Sequence, residues 1–174
     1  MRRNVVIASA CLFVIGLISV LGRDVEQTSL PNDARADAIV VDKSNHTMTL
    51  YFSGQVLRTY SVSLGRGGTG PKDHEGDNRT PEGRYQIDGR NPHSRFHLSL
   101  HINYPSIDNI SAATAKGVKP GSDIMIHGIR NGLGWLGSFH RWMDWTAGCV
   151  ALTDREIEEV WRIVPDGTLV EIRK

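Results

Sequence analysis

Residues 38–64 read AIVVDKSNHTMTLYFSGQVLRTYSVSL and contain three runs rich in β-branched and aromatic residues. The runs are Ala38 to Lys43, Thr47 to Phe52 and Val56 to Leu64, and short segments of serine, asparagine, histidine and glycine separate them. Residues of those polar types and glycine favour tight turns, because they tolerate the backbone conformations that turns require. The stretch therefore predicts a strand, turn, strand, turn, strand meander, and with it a mainly β fold.

Further strands are predicted after the meander. Phe96 to Asn103 alternates apolar with polar residues, which is the period of a strand with one buried and one polar face. Three shorter β-rich runs are Arg84 to Asp88, Asp123 to Ile126 and Leu169 to Ile172. We expect a compact β-sandwich or barrel-like sheet. Gly65 to Gly83 is rich in glycine and charge and predicts a long loop, a type of segment that is often functional or mobile.

One or two short helices are expected beside the sheet. Thr153 and Glu156 have the spacing of a capping box, in which each side chain bonds the other residue's main-chain N–H. An apolar stripe at helical spacing follows, formed by Ile157, Val160, Trp161 and Val164. A second short helix is predicted from Ser106 to Lys116, ended by Gly117.

The N-terminus has the pattern of an export signal. Arg2 and Arg3 precede Val5 to Gly22, which carries no charge and would extend about 27 Å as an apolar helix. We expect residues 1–22 to be a signal peptide or a membrane anchor, with lipidation at Cys11 as a third reading. Residues 23–37 would be a polar linker and 38–174 a single domain, located in the periplasm or cell envelope.

The charge balance argues against one class of partner. Lysine and arginine number 20 against 19 aspartate and glutamate, which gives a net charge of +1. The basic residues are scattered rather than gathered into a stripe, so we do not expect a nucleic acid partner.

Cys149 is the one cysteine outside the N-terminal apolar segment. A thiolate is a strong nucleophile, but an ordinary thiol needs a base or a positive neighbour at neutral pH. His127 ends a predicted strand before Gly128 and is the best-placed base, and the main-chain N–H groups of Gly148 and Cys149 are candidate oxyanion donors. The pattern is consistent with acyl transfer through a thioester, or with a small buried cysteine that does no chemistry.

The segments Ile126-His127-Gly128 and Thr146-Ala147-Gly148-Cys149-Val150 resemble the signature of the L,D-transpeptidase (YkuD) family. Gly70-Pro71-Lys72 and Thr80-Pro81-Glu82-Gly83 are also similar to that family, in the branch with the Asp-Trp-Thr-x-Gly-Cys motif. The resemblance covers nearly all of residues 38–172.

The resemblance implies a β-rich catalytic domain that acts on peptidoglycan stem peptides. Cys149 would attack the third residue of the stem, diaminopimelate, at its L-centre carbonyl and expel the terminal D-alanine. His127 would be the general base, and the carbonyl of Gly128 would orient its ring. An amine would then take the acyl group. The sequence leaves open a hydrolase with water as acceptor, a non-catalytic wall-binding module, and the oligomeric state.

Two departures from the family pattern affect substrate contacts. Many members carry histidine where this chain has Ala147, and arginine where it has Ala151. Contacts to a substrate carboxylate must then come from other residues. The nearest cations in sequence are Arg130 and Arg141, and three more lie in the glycine-rich loop, namely Arg66, Lys72 and Arg79.

Other polar and aromatic residues have two interpretations each. His97, His101 and Tyr104 are candidates for the floor of the site, or for an ordinary polar strand face. The aromatic side chains between His127 and Cys149 either pack in the core or form an apolar wall over the peptide; they are Trp135, Phe139, Trp142 and Trp145.

We expect neither a cofactor nor a metal. His97 and His101 would lie about 13 Å apart on a strand, too far apart for one ion. A zinc site is conceivable from His127, His140, Asp144 and Cys149, but the spacing matches no compact zinc motif.

Overall fold

The computed structural model describes residues 29–174, and the predicted N-terminal apolar helix lies outside them. The predicted meander is present as strands β1, β2 and β3. Five further strands follow, and the full set is β1 (Ala38–Asp42), β2 (Thr47–Phe52), β3 (Gln55–Ser61), β4 (Gly83–Ser94), β5 (His97–Ile102), β6 (Met125–His127), β7 (Val150–Ala151) and β8 (Leu169–Arg173).

These strands form one eight-stranded sheet with the order β3-β2-β1-β8-β4-β5-β6-β7. Most neighbours are antiparallel, whereas β8 runs parallel to β1 and β7 runs parallel to β6. The two edges approach each other just beyond β3, where Ser63 and Ala151 exchange main-chain hydrogen bonds of 3.0 and 2.8 Å. The arrangement is therefore a single sheet that curls towards closure, and not two separate sheets packed as a sandwich.

Two α-helices and one 3-10 segment accompany the sheet. Helix α1 spans Ile107–Ala115 with Ser106 as its N-cap, and α2 spans Asp154–Ile163 with the predicted capping box of Thr153 and Glu156. The predicted stripe on α2 faces the core at Ile157 and Val160, which are fully buried. The sequence did not predict the 3-10 segment Gly134–Trp142. No helix within residues 29–174 is both long enough and apolar enough to cross a bilayer.

The alternating pattern of Phe96 to Asn103 predicts its strand correctly but not every burial. Leu100 and Ile102 are buried as expected. Ser99 was expected on the polar face and is nevertheless only 2% exposed, because it lies opposite His127 on β6 and other elements cover that face.

The glycine-rich loop is held by a buried lysine. Lys43 follows β1, is 1% exposed, and donates hydrogen bonds of 2.9 Å to the carbonyls of Gly70 and Thr80 and to Glu82. These three acceptors span most of the loop, so one ammonium group fixes the loop against the edge of the sheet.

Candidate active site

His127 ends β6, and Cys149 immediately precedes β7, the strand that runs parallel to β6. Ile126 is in register with Val150, and His127 with Ala151, so Cys149 is offset from His127 by two residues along the strands. Residues in register, or two apart, point to the same face of a sheet. The two side chains therefore project from one face, while Ile126 and Val150 project into the core.

The same face carries polar side chains from the adjoining strands. Ser99 and His101 of β5 are in register with His127 and Met125, and Ser63 is opposite Ala151. The imidazole Nδ1 of His101 lies 2.5 Å from Asp88. His101 thus lies on the same sheet face as His127, and its Nδ1 already has Asp88 as a partner.

His127 is buried and held in one orientation. Its Nδ1 lies 2.7 Å from the carbonyl oxygen of Gly128, which can only accept, so Nδ1 carries the proton and Nε2 is the basic nitrogen. Phe96 and Trp145 pack against the ring, with centroids at 4.6 and 5.7 Å. Burial lowers the pKa of His127, because a charged imidazolium is poorly solvated there. The ring is a neutral base at pH 7.

The thiol of Cys149 is directed at the main chain that enters β6. Its sulfur lies 3.6 Å from the carbonyl oxygen of Asp123. Burial raises the pKa of Cys149, opposed by the main-chain N–H of Met125 and by the charge of Lys72. With His127 also neutral, the resting site holds a thiol and an imidazole rather than a thiolate and an imidazolium.

A buried threonine organises the turn before the cysteine. Thr146 Oγ1 donates to the carbonyl of Cys149 over 2.8 Å and accepts from the N–H of Gly148 over 3.1 Å. One of the two predicted oxyanion donors, Gly148, is therefore engaged within the turn. The N–H of Cys149 is left as the candidate.

Glycine is required at position 148 for two reasons. Its φ is +131°, and an added Cβ would lie 2.8 Å from the carbonyl oxygen of Arg79 and 3.1 Å from Ile124. The space beside Gly148 is thus filled by the glycine-rich loop.

Comparisons with known proteins give the family of the chain. The family model for the L,D-transpeptidase catalytic domain, YkuD, matches residues 36–172. The chain belongs to the YkuD family. It is 30% identical over 138 residues to the protein named "Putative L,D-transpeptidase YafK" of Escherichia coli K12, an alignment that covers 76% of this chain and 48% of that protein. The chain spans about half the length of that relative.

Solved structures show the same YkuD fold. Pgp2 from Campylobacter jejuni, a helical cell shape determining protein, aligns with a TM-score of 0.62 at 22% identity, covering 82% of this chain and 49% of Pgp2. An L,D-transpeptidase from Mycobacterium smegmatis aligns with a TM-score of 0.54 at 16% identity, covering 80% and 59%. At these identities the likeness establishes the fold.

Within this YkuD domain, two predicted substrate residues are engaged elsewhere. Arg141 forms an ion pair with Glu156 of the α2 capping box and lines a groove of about 1060 Å³ beside β3 and α2, to which neither Cys149 nor His127 contributes. Tyr104 is a core residue whose hydroxyl donates to the carbonyl of Pro120 over 2.8 Å. A sequence motif places these residues near Cys149 in the chain, but it does not show in which direction their long side chains extend.

The other candidate cations differ in their surroundings. Arg130 and Arg66 are exposed. Arg79 donates from Nε to the carbonyl of Gly67 over 3.1 Å, within its own loop. The side chain of Lys72 is almost completely buried, and its Nζ forms an ion pair with Asp77 over 2.7 Å.

The aromatic residues of the 3-10 segment are largely outside the core. Trp135, Phe139 and Trp142 are exposed, which contradicts the interpretation as core packing. Trp145 alone approaches the site, and its Nε1 donates to His140 over 3.3 Å. His140 is buried, which lowers its pKa to about 4.

The structure also places the residues of the conceivable zinc site. The carboxylate of Asp144 is hydrogen-bonded to His46 over 3.0 Å and accepts from the N–H of Leu64 over 2.8 Å. It therefore links the turn between β1 and β2 to the segment that follows β3. Among residues 29–174 no group of three metal-binding side chains converges.

Two features of the site were not predicted from the sequence, namely the contact of the thiol with Asp123 and the two hydrogen bonds of Thr146. The threonine of the Thr-x-Gly-Cys motif was the available signal for the second.

Proposed function

We propose that the protein is a cell-envelope L,D-transpeptidase in which Cys149 forms a thioester with a peptidoglycan stem peptide and passes the acyl group to an amine. The observation that carries the proposal is the register of β6 with β7, which puts Cys149, one residue before β7, on the same sheet face as His127. The family match over residues 36–172 supports the same chemistry.

The first half of the reaction forms the thioester. His127 Nε2 accepts the thiol proton while the sulfur attacks the carbonyl carbon of the third residue, diaminopimelate. The C–S bond forms, the C–N bond to D-alanine breaks, and the imidazolium returns its proton to the departing amine. The N–H of Cys149 would donate to the oxyanion.

The second half regenerates the enzyme. An acceptor amine attacks the thioester carbonyl and loses a proton through His127, and the thiol leaves. In the resting arrangement the thiol donates to the carbonyl of Asp123 over 3.6 Å, so this weak hydrogen bond must break when His127 takes the proton.

The location of the enzyme is part of the proposal. The arginines at positions 2 and 3 and the apolar run from Val5 to Gly22 support export to the periplasm or cell envelope, with residues 5–22 either anchoring the chain or being removed.

The test is incubation of the full chain, in detergent, with a disaccharide-tetrapeptide. We expect a covalent adduct of the tripeptide acyl group by mass spectrometry, followed by a cross-linked dimer or by exchange of the terminal D-alanine. A Cys11→Ala background ensures that any adduct reports on Cys149, and both Cys149→Ala and His127→Gln serve as inactive comparisons.

The products distinguish the alternatives. Tripeptide without dimer or exchange would identify a hydrolase, since water would then be the acceptor. Absence of both adduct and turnover, with intact binding to isolated wall material, would contradict the proposal and indicate a binding module.

A further inference from the structure

Lys72 has a buried side chain in the glycine-rich loop. The side chain is 4% exposed, and that of its partner Asp77 is 6% exposed. A lysine side chain is rarely buried so fully unless its charge is paired, because desolvating an ammonium group is costly.

The position of Lys72 follows from its contacts. Its Cε lies 3.4 Å from the place where a Cβ on Gly121 would stand, so the lysine packs on the turn that precedes β6. Two residues later, the carbonyl of Asp123 lies 3.6 Å from the sulfur of Cys149. The charge of Lys72 also acts on the thiol in the direction that favours the thiolate.

The ammonium group has donor capacity to spare. It donates to Asp77 over 2.7 Å and to the carbonyl of His74 over 3.1 Å. A lysine ammonium has three N–H donors, so one is available. Asp77 is itself held by the main-chain N–H groups of Asp73, His74 and Arg79, which fixes the ion pair rigidly.

The other cations near the motif do not have these properties. Arg141 is paired with Glu156 in a separate groove, and Arg79 is bonded within its loop. Arg130 and Arg66 are exposed.

We infer that Lys72 binds the terminal carboxylate of the donor peptide and so sets the preference for a free C-terminus. The inference rests on the proposed function, in which the bond broken is the one before the terminal residue. A terminal D-alanine carboxylate lies within one residue of the attacked carbonyl, and Lys72 packs on the turn whose Asp123 carbonyl contacts the sulfur. Lys72 thus determines substrate specificity, and Asp77 positions its ammonium group.

The experiment compares two substrates that differ at one group. Acylation of Cys149 in the full chain is followed by mass spectrometry, using a tetrapeptide with a free carboxylate and the same peptide with a C-terminal carboxamide. The wild type should prefer the carboxylate by about 10-fold or more, as expected for a charge-assisted hydrogen bond. Lys72→Met should reduce that preference to within about 2-fold, mainly by lowering kcat/KM for the carboxylate.

Two further variants separate recognition from structure. Lys72→Arg should retain part of the preference because it keeps the charge. Lys119→Met removes an exposed cation from the same turn and should leave the preference unchanged. Equal losses on both substrates in Lys72→Met, or a wild type without preference, would overturn the inference.

Binding provides a readout that does not depend on turnover. In the Cys149→Ala protein, the dissociation constants of the two peptides should differ in the same sense, and Lys72→Met should remove the difference. If the wild type acylates neither peptide but binds the carboxylate form selectively through Lys72, the proposed function fails and the inference stands. If acylation occurs and Lys72→Met keeps the wild-type preference, the inference fails and the proposed function stands.

Discussion

The sulfur of Cys149 lies 3.6 Å from the main-chain oxygen of Asp123, so the thiol proton has a carbonyl acceptor in the resting arrangement. Burial raises the pKa of Cys149 and lowers that of His127. Both shifts favour a neutral thiol and a neutral imidazole, so the proposed reaction needs His127 to remove the thiol proton during attack, rather than a thiolate already present in the resting site.

The pH dependence of alkylation tests this state. In a Cys11→Ala background, the rate of Cys149 alkylation by iodoacetamide should stay low at pH 7 and rise continuously into the alkaline range, since the raised pKa of the thiol delays ionisation. A plateau extending from about pH 5 to 8 would instead indicate a thiolate and imidazolium pair, and would contradict the assignment.

Thr146 should be sensitive to loss of its hydroxyl. Thr146→Val keeps the shape but leaves the N–H of Gly148 and the carbonyl of Cys149 without a partner, at a cost of about 1–3 kcal/mol in the free energy of unfolding. We also expect slower acylation, because the turn carrying the cysteine loosens. Thr146→Ser should recover most of both, as measured by denaturant unfolding and by adduct formation.

Gly148→Ala should impair both folding and catalysis. The new Cβ would lie 2.8 Å from the carbonyl of Arg79 in a backbone conformation that side chains rarely adopt. We expect a loss of roughly 2–4 kcal/mol in unfolding free energy, from strain and overpacking together. Gly132→Ala is the control, since it shares a positive φ, +87°, but has open space; an equal loss there would refute the steric explanation.

Lys43→Met should release the glycine-rich loop from the sheet. The substitution leaves two carbonyls and the Glu82 carboxylate without their buried cation, and the unfolding free energy should fall by about 2–4 kcal/mol. Lys116→Met removes an exposed ion pair with Asp73 and should cost below about 1 kcal/mol. Chemical denaturation of the two variants in parallel measures the difference.

The fold should lose stability in mild acid. Burial lowers the pKa of His140 to about 4, whereas an unfolded histidine has its ordinary value near 6.5. Above about pH 6.5 neither state binds the proton; below it the unfolded state binds it first, so stability falls as the pH approaches 4. The full effect is about 3 kcal/mol at roughly 1.4 kcal/mol per pKa unit.

A variant isolates the contribution of His140 from that of other groups. His140→Phe should flatten the dependence of unfolding free energy on pH between about 6.5 and 4, while His93→Gln, at an exposed site, should leave it unchanged. An unchanged slope in His140→Phe would show that His140 protonates without cost in the folded state.

Local signals in the sequence predicted most of the secondary structure. The meander, the capped helix α2 and helix α1 were predicted because each depends on neighbours within a few residues. The short strand β7, by contrast, has two residues and exists only because β6 lies beside it. The burial of Ser99 was missed for a related reason, since it depends on what covers the sheet rather than on the alternation of the strand itself.

The candidate site shows the same division between local and long-range information. The pairing of a histidine element with a Thr-x-Gly-Cys element predicted Cys149 and His127 as nucleophile and base, and both lie within residues 36–172, which the family model matches. The substrate residues could not be chosen from spacing, because a long side chain reaches several partners. Arg141 pairs with Glu156, the Tyr104 side chain is in the core, and Lys72 pairs with Asp77 and packs on the turn before β6.

The β-rich fold class and the candidate pair of Cys149 and His127 could be predicted from the amino-acid sequence, because strand periodicity, capping and a nucleophile motif are local patterns. The tertiary structure was needed to show that His127 and Cys149 share a face, that the thiol contacts the carbonyl of Asp123, and that Lys72 pairs with Asp77 on the turn before β6. Those facts depend on strand register and loop packing, which are set by contacts between residues far apart in the chain.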